Sequence, residues 1–344
     1  MKNAIFVIIC CIILAVIVVI LAPKGKLIAQ INKEETNSNT LVIYSPLNEE
    51  IIIPIVKEFQ ETTGIQITYL SAGTVDLLTL LERKGDKPLM DVLWGSSKEF
   101  IDSKLEYFQP YQTSYDSKIH KGFKHDRNDW NGFNLLPIVL MYNKKLVSPE
   151  EAPKSWEDLL DPKWKGKMVY TDPNNSGSSF MILSTLLSLG KEGNEYNWGN
   201  VRKFLNNVDG KIMAKSSEVY NGIANGDFAL GLTMEEAAVR LIRNGADVEM
   251  VYLEEGTPVI TDVIVLMKDA QNLENAKIFI DFVLSDHVQK YMVDYFYLRS
   301  IRTDITPPEG LISIEDLNIL DSNSADIYRN KDEILHTFDQ LLSK

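Results

Sequence analysis

Hydroxyl, amide and glycine residues gather at four points of this chain, and together they offer the chemistry of anion capture. Asn174-Asn175-Ser176-Gly177-Ser178-Ser179 stands directly before the apolar run FMILSTLLSLG. A helix starting there presents free backbone N–H groups at its positive dipole end, with the hydroxyls of Ser176, Ser178 and Ser179 around the bare Gly177. Phosphate, phosphonate or carboxylate can be held by such a terminus without a basic residue. Ser45 and Asn48, then Ser71, Gly73 and Thr74, then Ser96 and Ser97 each follow a short apolar run. Thr233 and Glu235 follow FALGLT, where a carboxylate can accept from two vicinal hydroxyls or bind an ammonium group. Plainer uses exist for all of them. Ser and Asn at these places serve as N-caps, and acids in a first helical turn offset the dipole. That plainer use is the expectation for Glu236.

Other constellations carry no chemistry. His120 and His125 sit five apart in a charged stretch without further ligands, so a zinc site is not expected. His287 and His336 fall in polar helical stretches and read as solvated. Trp94 lies in an apolar strand and reads as core, and DYFYL (294–298) as a packing or hinge contact. No GxSxG elbow, phosphate-binding Walker loop or HExxH helix occurs. No catalytic, metal or cofactor motif is thus found, and none of the three is expected.

Parallel strands must position the hydroxyls. LVIYS (41–45) reads as a strand and Asn48 to Thr63 as a helix, with Ile52, Ile55, Val56 and Phe59 on one face and Gly64 as its stop. Pro54 predicts an irregular entry. IQITYL (65–70), a helix over 75–84 and MDVLW (90–94) complete a strand-helix alternation, hence a parallel α/β sheet. The hydroxyls then sit at carboxyl ends of strands, where open α/β sheets bind ligands. The same grammar returns in MVYT (168–171), Ser178–Leu189, KIMA (211–214), Ser216–Asn225, FALGLT, Glu235–Asn244 and VEMVYL (248–253). A second α/β lobe is expected rather than one long sheet. LLPIVLMYN (135–143) and PVITDVIVLM (258–267) cross between the lobes, which implies a hinge. Residues 40–135 with 258–300 are assigned to lobe 1, and residues 136–257 with 301–344 to lobe 2. Helices Leu273–Leu284 and His287–Tyr295 are expected against lobe 1.

At the N-terminus, residues 4–22 form an apolar run flanked by Lys2, Lys24 and Lys26. As a helix it would reach about 28 Å, close to a bilayer's hydrocarbon thickness. Residues 1–30 are therefore expected to be a signal peptide or membrane anchor, cleaved, retained or lipidated at Cys10 or Cys11, placing the rest in the periplasm or on the cell surface. Both cysteines of the chain lie in this run, so no disulfide or thiolate metal site is available beyond it. The net charge is −13, and those three lysines are the only charges of the first 30 residues. So acidic a remainder repels nucleic acid. Its length exceeds what a single core usually supports.

LVIYSPLNEEIIIPIVKEFQETTGIQITYLSAGT, DVLWGSS, PKSWEDLLDPKWKGKMVYTDPNNSGSS, VYNGIANGDFALGLTMEEAA and EGTPVITDVIVLMKDAQNLENAKIFIDFVLS together resemble the extracellular solute-binding proteins of ABC importers, specifically the group of ferric-ion, phosphonate and sugar-phosphate receptors. The resemblance spans most of residues 40–305. It implies the type II periplasmic-binding-protein fold, two-lobed α/β with two crossing strands, acting as a monomer that delivers a small ligand to an ABC permease. In the ferric receptors a histidine, a glutamate and two adjacent tyrosines hold the metal. Those positions fall at Asn48, near Ser96, and near Met234 and Glu235, so none is retained. Direct ferric binding is thus the alternative, needing a chelator or anion to complete it. In the sugar-phosphate receptors an acid after the GLT unit meets the sugar ring. The resemblance therefore implies a small anionic or phosphorylated polyol, its acid at Ser176–Ser179, with Ser45, Thr74 and Ser96 contributing and Thr233 and Glu235 at the hydroxyl end.

Overall fold

The computed structural model describes residues 39–72, 77, 79–81, 90–190, 195–320 and 324–343. The apolar run 4–22 and most of the helix expected over 75–84 lie outside the described residues, as do Gly73 and Thr74. Among the described residues no helix is long and apolar enough to cross a membrane.

Strand β1 (Thr40–Ser45) leads into helix α1 (Glu49–Thr63), whose buried face is Ile52, Ile55, Val56 and Phe59. Gly64 ends it at φ 75°, a left-handed conformation that costs glycine little. Pro54 lies inside the helix, and the carbonyl of Asn48 accepts from both Ile51 and Ile52 N–H at 2.9 and 3.1 Å, a tightened first turn. β2 (Gln66–Ser71) and β3 (Val92–Ser97) flank β1 in parallel. Helix α2 (Lys98–Asp102) and the two-residue strand β4 (Phe108–Gln109) follow.

The long strand β5 (Asn131–Asn143) is shared by two regions. Then come β6 (Met168–Thr171), α3 (Gly177–Ser188), α4 (Trp198–Val208), β7 (Ile212–Met213), α5 (Ser216–Asn225), β8 (Leu230–Met234), α6 (Glu235–Arg243), β9 (Val248–Val251) and β10 (Val259–Met267). Helices α7 (Leu273–Val283) and α8 (Asp286–Phe296), strand β11 (Arg299–Ser300), and helices α9 (Ser324–Arg329) and α10 (Lys331–Leu342) complete the chain.

The strands run in the order β2-β1-β3-β10-β5-β8-β6-β7. The two sheets expected as separate are joined because β5 serves both. Its residues 131–137 pair with β10, while 138–143 pair with β8 and β9. One core packs Ile43, Phe59, Trp94 and Phe133 against Phe279, Ile280, Val288 and Met292 of α7 and α8. Trp94 is fully buried there, its ring 6.0 Å from Phe133 and 5.5 Å from Phe279. Leu298 and Ile301 belong to this same core. A Cβ on Gly132 would fall 2.0 Å from Ile301 Cδ1, so a larger residue there would force the Ile301 side chain to shift. The chain joins the other core, around Tyr170, Phe180 and Phe204, only with Ile327, Ile334 and Phe338.

Candidate functional site

A cavity of about 310 Å³ opens where β1 and β3 face α3, α5 and α6. Its hydroxyl side is built from α3. Ser176 is the N-cap, its Oγ accepting from Ser179 N–H at 3.3 Å, which satisfies one of the donors a helix start leaves open. Ser176 Oγ also lies 3.0 Å from Ser178 Oγ and 2.9 Å from Ser216 Oγ at the start of α5. Gly177 lines the cavity, and a Cβ there would meet nothing within 4 Å. The ammonium of Lys331 stands near this end, 4.4 Å from the Phe100 ring centroid and 5.2 Å from that of Phe180 in α3, and burial holds it below the usual lysine range. Between those rings lies Tyr328, edge-on to Phe180 at 5.0 Å and to Phe100 at 5.7 Å, lining the cavity from α9.

Opposite strands bring the other polar groups. Ser97 and Asn134 are the register partners of Asp262 in β3 and β5, and all three line the cavity. The register shifts just after Asp262 against β5 and just after Val263 against β3, bulges of the kind that re-aim side chains. Burial pushes the Asp262 carboxyl up to about 8; the Asn134 amide moderates that shift and the nearby Glu99 adds to it. Asn134 Oδ1 and Ser97 Oγ are buried without a hydrogen-bond partner. Glu236 of α6 also lines the cavity, and burial pushes its carboxyl up to about 7 although Arg240 Nε lies 3.9 Å away. No Lys or Arg is among the described lining residues. Gly95, at φ 108°, lets Leu47 close over the end of β3; a Cβ there would strike Leu47 at 2.4 Å.

Of the residues proposed from sequence, Asn48, Ser97, Ser176, Gly177 and Ser178 meet at this cavity. Ser45 does not: its Oγ donates to the Trp94 carbonyl at 2.6 Å and accepts from Leu47 N–H, fastening β1 to β3. Ser71 sits on the sheet edge beside Ser45. Ser96, Ser179 and Thr233 are buried outside the described lining, Thr233 opposite Val139 in β5.

Glu235 stands furthest from the expected arrangement. It is 1 % exposed and its oxygens are taken by Arg299, with Nε to Oε2 at 2.6 Å and Nη2 to Oε1 at 3.0 Å, and by the Tyr252 hydroxyl, which donates to Oε1. Burial and that carboxylate hold the Tyr252 phenol above its ordinary range, so it stays a donor. The acid expected at the ligand's hydroxyl end is paired with Arg299, and Glu236, expected only to offset the dipole, lines the cavity. Sequence reading does not single out Asn134, Asp262, Tyr328 or Lys331, and it reads Ser216 only as the cap of its helix, a place Lys215 takes; for Asn134 and Asp262 the signal available was a lone polar residue inside an apolar strand.

The histidines stay outside: His120 Nδ1 accepts from Gly122 N–H, and His287 pairs with Glu58 at 2.8 Å. Among the described residues no three His, Cys, Asp or Glu side chains converge as metal ligands.

Comparison with known proteins fits this arrangement. Iron uptake protein A1 of Synechocystis is 26 % identical over 272 residues, spanning 74 % of each chain. A periplasmic protein of Salmonella typhi named for 2-aminoethylphosphonate binding is 27 % identical over 262 residues, spanning 73 % of this chain and 74 % of its own. The fold matches the periplasmic binding protein AfuA of Actinobacillus pleuropneumoniae, solved with fructose-6-phosphate bound, at a TM-score of 0.76 and 21 % identity, over 88 % of this chain and 98 % of that one. Those proteins are receptors, not enzymes. Residues 87–308, more than half of the chain, match the model of one family, and the chain is therefore a member of the bacterial extracellular solute-binding proteins.

Proposed function

We propose that this chain is the receptor of an ABC importer for a small organic acid of phosphorus, a phosphonate or phosphate ester, whose acidic group seats at the start of α3. The observation that carries this reading is the cluster of Ser176, Ser178 and Ser216 hydroxyls around Gly177, where nothing fills the space a Cβ would take. Two of the three hydroxyl protons are shared between the serines, which leaves at most one hydroxyl with the first-turn N–H groups of Gly177 and Ser178, three donors for the three acceptor oxygens of a phosphoryl group. The helix dipole and the Lys331 ammonium favour negative charge there. Two relatives, one named for a phosphonate and one solved with a sugar phosphate, share a phosphorus acid as their common element. The polyol half of the expectation rested on Glu235, and that carboxylate is engaged by Arg299.

Around the cavity, residues 40–135 with 258–300 and residues 136–257 with the C-terminal helices act as two lobes that close about β5 and β10. Closure converts binding into a shape the permease reads. The run 4–22 exports or tethers the chain.

Thermal unfolding of the full chain in detergent tests the reading. A ligand at a hundred times its dissociation constant adds about 2.7 kcal/mol, a rise of a few degrees. Alkylphosphonates and phosphate esters should produce that rise, and Gly177→Leu, which fills the seat, should abolish it. A rise with ferric citrate and none with any phosphorus acid would overturn the reading in favour of iron.

A further inference from the structure

The C-terminal helices belong by packing to the region around α3. Ile327 of α9 and Ile334 and Phe338 of α10 are buried in the core that holds Tyr170, Phe180 and Phe204. Polar bonds fasten the same arm: Asn330 Nδ2 donates to the Tyr196 hydroxyl at 3.0 Å, and Asn174 Nδ2 donates to Asp339 Oδ1 at 3.0 Å. Two side chains of the arm nevertheless reach across to Phe100 of α2, in the other region. The Tyr328 ring meets Phe180 edge-on and also Phe100 edge-on, and the Lys331 ammonium lies over those same two rings. Phe100 and Tyr328 both line the cavity. One arm thus stands between rings of the two regions at the cavity wall. The chemistry of this contact differs from that of Arg299 and Glu235, where two directional hydrogen bonds hold an ion pair. Edge-on rings and an ammonium over a ring face attract more weakly and with looser geometry. Such a contact can part and re-form while the arm stays folded on its own core.

Resting on the two-lobe reading of the chain, we infer that the arm of α9 and α10 is a clasp, which stays on the lobe of α3 and grips Phe100 of the other lobe through Tyr328 and Lys331 to hold the cavity shut. Opening breaks the contacts to Phe100 and leaves those to Phe180 in place. Closure about a hinge needs a contact of this kind, strong enough to bias the closed form and weak enough to release it. The clasp is also coupled to occupancy. Ser178, in the seat proposed for the acid, stands two residues before Phe180 on the same helix. Negative charge seated there favours the charged form of Lys331, the form that the rings attract. Occupancy therefore tightens the clasp, and by linkage the clasp tightens the hold on the occupant.

A distance measured between the lobes tests the clasp without requiring that the bound compound be known. Both cysteines lie in the run 4–22, so Cys10→Ser and Cys11→Ser leave the full chain free for a pair of spin labels. Lys57→Cys in α1 and Arg202→Cys in α4 place them at exposed positions, one on each lobe. Pulsed electron resonance then reads the distance distribution in detergent. In Phe100→Ala, and in Lys331→Met, which keeps the length of the side chain and removes its charge, the ligand-free distribution should gain a longer-distance population that the parent chain lacks. Melting curves verify that both variants fold. Distributions in both variants that match the parent, while ethylphosphonate or ferric citrate shortens the distance in all three chains, overturn the clasp and leave the hinged lobes standing. One unchanging distance in all three chains, with either compound or with none, overturns the hinge and the clasp with it.

Discussion

Glu235 and Glu236 are neighbours at the start of α6, yet they belong to different worlds. Glu235 turns toward Arg299 and Tyr252, where every oxygen has a donor, and it ties the second region to the segment following α8. Glu236 turns toward the cavity, which Asp262 also lines, with Arg240 Nε 3.9 Å away as its looser partner. An α-helix rotates about 100° per residue, so adjacent side chains necessarily serve different neighbours. The contrast separates two uses of buried charge. A charge held by two short bonds in the interior fixes shape, and one held loosely at a cavity wall stays open to exchange its partner.

Removing Arg299 should break the satisfied side with the largest effect. Arg299→Ala strands Glu235 in the interior and should cost about 3–5 kcal/mol in denaturant unfolding. A loss below about 1 kcal/mol would mean that Glu235 reaches water and the two acids do not differ.

Asp262→Asn should act in the opposite direction. In the fold this carboxyl keeps its proton up to about pH 8, whereas an unfolded aspartate ionises near pH 4. The folded chain therefore holds more protons across that window, and its stability falls as pH rises. The substitution should flatten that fall and add about 2 kcal/mol at pH 8 by removing the desolvation cost of a buried carboxylate. An unchanged pH profile would refute a destabilising Asp262. Ser176→Ala should cost about 1 kcal/mol through loss of the cap and also weaken ethylphosphonate binding, whereas a stability loss alone would reduce Ser176 to a cap. Glu236→Gln should be mildest, roughly 0.5 kcal/mol, because its side chain is 21 % exposed and Arg240 lies nearby.

What sequence could foretell follows the range of the interactions. The face of α1, its stop at Gly64 and the burial of Trp94 depend on local periodicity, and all were readable. Ser176 was readable too, because a cap lies beside the helix it caps. Ser45 shows where local reasoning ends: its position at a strand's end was right, but its hydroxyl is claimed by Trp94, a contact no spacing reveals. Asn134 and Asp262 interrupt apolar strands, and periodicity assigns such residues to the interior without saying what they face. Arg299 in β11 was the clue to Glu235, since a buried guanidinium demands an acid.

The wall of the cavity sets Asp262 beside Ser97, and its last aromatic, Tyr328, arrives from near the end of the chain. Pairings this distant form late and slowly. A chain still being made therefore carries an incomplete cavity wall, and the cavity is whole only once the final helices have folded, so the order of residues alone delays it to the end.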